Sequence, residues 1–131
     1  MLALKKIHHV AIMTESALYA SCKDFYTRIL GCEILAETFR EERESYKLDL
    51  TVNGQYQIEL FSFPDYKERA SFPEAKGLRH LAFGVESVSA AANWLVSQGV
   101  IVEPIRIDAL TGKQFLFFND PNGQPLELYE L

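Results

Sequence analysis

Cysteine is scarce in this sequence: Cys22 and Cys32 are the only two in 131 residues. Their spacing forms neither a metal motif nor a disulfide framework. A cystine-stapled scaffold is excluded, and both residues are expected to be small buried hydrophobes in a reducing cytoplasm. Positive charge is also in short supply. Lys and Arg number 13 against 18 Asp and Glu, for a net charge of −5 and a pI near 5.2. No basic tail relieves that balance, so nucleic acid and anionic membrane are excluded as expected partners. No apolar run approaches the roughly 20 residues that cross a bilayer. The opening residues, Met1 to Lys6, lack the order of charge, long apolar stretch and cleavage site of a secretory signal. What is present, 48% apolar and 24% charged residues, describes an ordinary globular chain. Its length suits one compact domain, or two small modules sharing a core.

Alternation along residues 5–13 predicts a strand with Ile7, His9, Ala11 and Met13 on one face and His8, Val10 and Ile12 on the other. A helix is expected next, capped by Thr14 or Ser16, with Leu18, Cys22, Phe25 and Ile29 at helical spacing and Gly31 as its C-terminal cap. Strands follow at 33–40, 46–52 and 57–63, the last two joined at Asn53-Gly54. After a loop over 64–77, the pattern restarts. A strand is expected at 80–85, then a helix from Val88, capped by Ser87 and running through Ala91, Leu95 and Val96 to Gly99. Further strands are expected at 101–105, 114–119 and 126–130, with Asp120-Pro121-Asn122-Gly123 as a turn. The alternating aromatics Phe61, Phe63, Phe115, Phe117 and Tyr129 are expected to be mostly core, with one or two facing a ligand.

Both halves therefore read β-α-β-β-β, and the letters repeat as well. His9-Val10-Ala11-Ile12 matches His80-Leu81-Ala82-Phe83, and Ile58-Glu59-Leu60 matches Leu126-Glu127-Leu128. A lone histidine on a strand is ordinarily structural, and a lone glutamate ordinarily faces water. Repetition at equivalent positions, among apolar neighbours, changes that reading. Ionised carboxylates in such places need cations. Two imidazoles and two carboxylates are a suitable set for Zn²⁺, Ni²⁺, Co²⁺, Mn²⁺ or Fe²⁺. His9, Glu59, His80 and Glu127 are accordingly the expected metal ligands. His8, whose counterpart is Arg79, is read as structural or supporting. Arg40, Arg43, Lys67 and Arg69 are charged residues that could receive an anionic substrate, though such residues are usually just solvated.

With the repeat, the segment Phe25-Tyr26-Thr27-Arg28-Ile29-Leu30-Gly31, and the run from Asn119-Asp120-Pro121-Asn122-Gly123 to Leu126-Glu127-Leu128, the chain resembles the vicinal oxygen chelate superfamily. The likeness covers the whole chain and is nearest to the glyoxalase I-like branch. It implies an α+β fold: two βαβββ modules in tandem, residues 1–63 and 78–131, joined by an intermodule loop at 64–77. Together they would form one domain with an open, cup-shaped mixed sheet and helices on the outer face. It also implies a homodimer, a small-molecule substrate, and one divalent metal ion held by His9, Glu59, His80 and Glu127.

The reaction expected is that of a lactoylglutathione lyase-like lyase or isomerase. Its substrate would be small, with a carbonyl and a vicinal oxygen, and would pass through a metal-stabilised enediolate with Glu59 or Glu127 as base. The intermodule loop offers no recognisable set of residues for glutathione carboxylates, so the substrate stays open. An Fe²⁺ dioxygenase, an epimerase, an antibiotic-modifying enzyme and a non-catalytic binding or resistance protein are the alternatives. The extra carboxylate counts against the dioxygenase, which needs free coordination positions.

Overall fold

The computed structural model describes residues 1–131. The chain separates into two compact units, Met1–Lys67 and Glu68–Leu131.

In the first unit, β1 (Val10–Glu15) leads into a 3₁₀ turn at Ser16–Leu18, helix α1 (Tyr19–Asp24) and a π-helical turn at Phe25–Ile29. Strands β2 (Glu33–Arg40), β3 (Ser45–Val52) and β4 (Gln55–Phe63) follow. The sheet order is β1-β4-β3-β2, with β1 parallel to β4 and the other pairings antiparallel. Residues 5–9, expected within the first strand, precede it and are exposed. His8 is therefore not packed under a helix. The expected cap also differs: Thr14 is fully buried and its hydroxyl donates to the Phe61 carbonyl, while Glu15 starts the helical segment without a side-chain cap. The π-turn widens the buried stripe to include Tyr19 and Tyr26 beside Cys22 and Phe25. Gly31 closes it at φ +79°, where the Gly31 amide donates to the Thr27 carbonyl and the Cys32 amide to the Tyr26 carbonyl. Asn53 and Gly54, with φ of 50° and 78°, form the β3–β4 hairpin turn.

The second unit repeats the plan. Strand β5 (Leu81–Val85), helix α2 (Val88–Ser97), β6 (Arg106–Ile107), β7 (Gln114–Asn119) and β8 (Pro125–Glu130) give the order β5-β8-β7-β6, again with first and last strands parallel. Ser87 caps α2 by accepting from the Ala90 amide at 3.2 Å. The helix buries Val88, Ala92 and Leu95, whereas Val96, expected on that stripe, is exposed. No strand forms over 101–105. Pro104 cannot donate to a ladder, so this stretch makes only the single bridge Val102–Phe118, and β6 starts later and stays short.

Each sheet has one covered face. Leu48, Leu50, Ile58 and Leu60 are fully or almost fully buried in the first unit, and Leu116, Phe118, Leu126 and Leu128 fill the matching places in the second. A buried side chain of this kind contributes about 1.5–3 kcal/mol. On the opposite face, period-two alternation places Ala11 and Glu59 in one unit and Ala82 and Glu127 in the other. Phe61, Phe63, Phe115, Phe117 and Tyr129 share this second face and are only half-buried. The expectation that most of them are core is thereby corrected, because their strand neighbours supply the core instead. Cys22 and Cys32 are buried free thiols as expected, and burial pushes Cys32 up to about 11.

Candidate metal half-sites

The first-unit pair forms where the chain enters β1. His9 stands immediately before that strand, and the parallel register sets Ala11 beside Glu59 on β4. His9 Nε2 lies 3.3 Å from Glu59 Oε2. The second unit repeats this atom for atom: Ala82 pairs with Glu127, and His80 Nε2 lies 2.9 Å from Glu127 Oε2. Both glutamates are buried, at 9% and 8% exposure. The exposed alanines leave each pair open on one side. The four residues expected as ligands are thus brought together as two pairs, one in each unit. No group of three or more His, Cys, Asp or Glu side chains forms a ready metal cluster.

The surroundings of the pairs differ. Glu59 accepts from the Tyr56 hydroxyl at 2.7 Å and faces Lys47 Nζ at 3.2 Å. Tyr56 and Lys47 both also donate to Asp49, at 2.9 and 2.7 Å. Burial pushes the Glu59 pKa up, but the Tyr56 and Lys47 hydrogen bonds and the His9 and Lys47 charges outweigh it, so the group is held below the usual carboxylate range. Lys47 is raised, chiefly by its bond to Asp49. Burial and the two carboxylates raise the Tyr56 phenol far above its ordinary value. His8 Nδ1 meets His9 Nδ1 at 2.8 Å, and both imidazoles rest against the Tyr56 ring. With that contact made through Nδ1, the His9 ring presents Nε2 to Glu59.

In the second unit, Phe117 occupies the cross-strand place of Asp49, and Phe115 that of Lys47. His80 packs edge-to-face on Phe117 at 4.9 Å between centroids, and the Glu127 carboxylate has His80 as its side-chain partner.

Lys47, Asp49 and Tyr56 escape a search for repeated letters because the second unit has no copies of them. The signal for two of them lies in β3, where Lys47 and Asp49 alternate with Leu48 and Leu50. An antiparallel hairpin turning at Asn53-Gly54 must set that polar row beside Glu59. Tyr56 is reached only through the register shift between Leu50 and Thr51, which no residue pattern announces.

The donors fit a divalent ion. Each unit offers one imidazole nitrogen and one carboxylate oxygen directed at each other, and a cation satisfies both as a shared proton does.

Two βαβββ units with a repeated imidazole–carboxylate pair define a tandem-module protein of the vicinal oxygen chelate type. Residues 6–128 match the Glyoxalase/Bleomycin resistance protein/Dioxygenase superfamily, and the chain belongs to that family. It is 58% identical over 127 residues to the uncharacterized protein YwkD of Bacillus subtilis (strain 168), covering 97% of this chain and 98% of that one. It is 56% identical over 130 residues to the uncharacterized protein YaeR of Escherichia coli (strain K12), covering 99% of each. A 2-epi-5-epi-valiolone epimerase from Actinomyces sp. is 30% identical, over 95% of this chain and 79% of the epimerase. Among solved structures, a glyoxalase family protein from Enterococcus faecalis superposes with a TM-score of 0.88 at 47% identity, covering 96% of this chain and 98% of that one. No helix is long and apolar enough to cross a membrane.

Proposed function

We propose that this chain is a metal-dependent lyase or isomerase of the glyoxalase I-like kind, acting on a small substrate with a carbonyl and a vicinal oxygen. The observation that carries the reading is the doubled pair, His9 with Glu59 and His80 with Glu127, at the same strand register in both units. His9, Glu59, His80 and Glu127 would hold one ion, zinc or nickel foremost, completed within one chain or across a homodimer. When bound, that ion supplies Lewis-acid polarisation of the substrate carbonyl.

The protein's own groups move the proton. Glu127, tethered only by His80, is the base that takes a proton from the carbon beside the carbonyl and returns it to the neighbouring carbon. Glu59 is held ionised by Tyr56 and Lys47 and acts as the fixed ligand. The half-buried phenyl rings of Phe115 and Phe117 limit water around Glu127, which strengthens its interactions with the reacting group. The second reading is an epimerase, favoured by the epimerase relative. It would begin with the same base, and the proton delivered to that carbon from the opposite side would come from a second donor, water or the other glutamate, Glu59.

The direct test is metal content. Protein stripped with a chelator and reloaded with Zn²⁺, Ni²⁺, Co²⁺ or Mn²⁺ is expected to bind about one ion per two half-sites and to melt at higher temperature than the stripped form. Elemental analysis and calorimetry read both. Negligible uptake with an unchanged melting temperature removes the metal from the mechanism and favours a binding protein.

A further inference from the structure

The arginines of this protein are partnered in different ways. Arg28, Arg79 and Arg106 lie at 2.9, 3.0 and 3.2 Å from Asp24, Glu74 and Glu103. Arg106 also lies over Phe115 and Phe117, and Arg69 donates to the Leu78 and Arg79 carbonyls. Arg40 has no such carboxylate. It is the last residue of β2 and half-buried, and it donates through Nη2 to the Ser45 hydroxyl at 3.1 Å. Its guanidinium carbon lies 4.9 Å from the Phe61 ring centroid and 5.8 Å from that of Phe63, and those two rings are stacked. Arg43 lies over Phe63 at 5.0 Å. Arg40 Nε is shut off from solvent and has no hydrogen-bond partner.

Stacking holds a guanidinium by its flat face and leaves its edge for planar, paired hydrogen bonds. A buried donor left idle is unfavourable, and because Nε is closed to solvent an acceptor reaches it only when the side chain shifts to uncover that edge, which removes the penalty. Carboxylates, phosphonates and phosphates present two oxygens at the spacing of the Nε–Nη edge. Phe61 is two residues from Glu59 on one strand and on the same face, which puts the stacked arginine about 7 Å along the strand from the proposed ligand.

We infer that Arg40, with Arg43 beside it, receives an oxyanion group, carboxylate or phosphonate in type, at the end of the substrate remote from the reacting carbonyl. This deepens the proposed function by naming the substrate class: a short carbonyl compound that is also an acid. Arg40 touches substrate here as a binding residue and takes no part in proton transfer.

The experiment is a titration of chelator-stripped protein with methylphosphonate, acetate and, as a neutral control, acetamide, following arginine Nε–H signals by ¹⁵N NMR. Working without metal prevents the anion from binding to an ion instead. Saturable movement of the Arg40 Nε–H signal is expected with at least one of the two anions, with a dissociation constant on the order of millimolar, and none with acetamide. Whichever anion binds more tightly identifies the headgroup. Arg40→Gln is expected to weaken binding at least tenfold. Arg40→Lys, which keeps the charge and the stem, should weaken it severalfold, and Arg28→Gln, on the exposed helix surface, should leave it unchanged. Circular dichroism confirms that the variants are folded. Absence of saturation in the wild type, or equal binding by wild type and Arg40→Lys, overturns the assignment. Metal uptake measured on the same samples separates the two readings: a protein that binds anion but no metal loses the proposed function and keeps this site, and the converse result does the opposite.

Discussion

The two half-sites share a histidine, a glutamate and a strand register, yet their neighbours could hardly be less alike. Glu59 sits in a polar row with Asp49, Lys47 and Tyr56, while Glu127 sits beside Phe117 and Phe115. The repeat keeps the imidazole–carboxylate pair in both units, while the adjoining strand differs. A carboxylate held by three donors is a good anchor. One whose side-chain partner is a single imidazole, among rings, has fewer ties to break before it can reach a substrate proton.

The largest effect that sharpens this comparison is on turnover. Glu127→Gln is expected to lower kcat about 10²- to 10⁴-fold, the usual loss when a general base is removed, with much of the metal retained. Glu59→Gln should instead show its loss first in metal content, measured by elemental analysis. Indistinguishable metal content and kcat in the two variants would erase the division of labour. Next in size is Tyr56→Phe, which deletes the one hydroxyl donor that Asp49 and Glu59 share. A cost of about 1–3 kcal/mol in urea unfolding is expected, since bonds to charged groups are the stronger ones. No change would mean that Lys47 alone holds the row.

Outside the pairs the units differ in how their helices start. Ser87→Ala should cost about 1 kcal/mol by losing the Ala90 bond, whereas Ser16→Ala should cost almost nothing because no side chain caps the first helical segment. Equal costs would contradict the capping geometry.

The smallest effect concerns acid. Hydrogen bonds from Tyr19 and Lys23 hold Glu37 below the usual carboxylate range against a lesser push from burial. An unfolded glutamate takes up its proton near pH 4.3, so this contribution is complete above that pH and is lost as pH falls through the lower folded value. Stability measured from pH 6 to pH 3 is therefore expected to fall less steeply in Glu37→Gln than in the wild type. The second unit, where no such tie joins the helix to its sheet, offers no equivalent.

Much of this arrangement could be read from the residues because period-two alternation, the Asn53-Gly54 turn and the Ser87 cap are local signals with local causes. The imidazole–carboxylate pairs were legible for another reason: the same letters occur twice, and an unlikely coincidence is informative. The failures also have physical causes. Pro104 broke a stretch whose Ile, Val and Ile suggested a strand, and Ile101 is in fact exposed. The aromatic row was mistaken for core because an apolar side chain facing an open sheet looks, letter by letter, like one beneath a helix. Arg40 stood in the sequence as one of four charged residues able to receive an anion, and nothing there singled it out as the one that lies over two phenyl rings with its Nε idle.

In each unit the opening strand lies against the closing one, as β1 does on β4 and β5 on β8. Residues so far apart in the chain meet late, because the intervening loop must be closed first. During synthesis on the ribosome, neither imidazole can meet its carboxylate until the final strand of its unit has emerged. The imidazole–carboxylate pair is then the last feature each half completes, and a chain interrupted early lacks it.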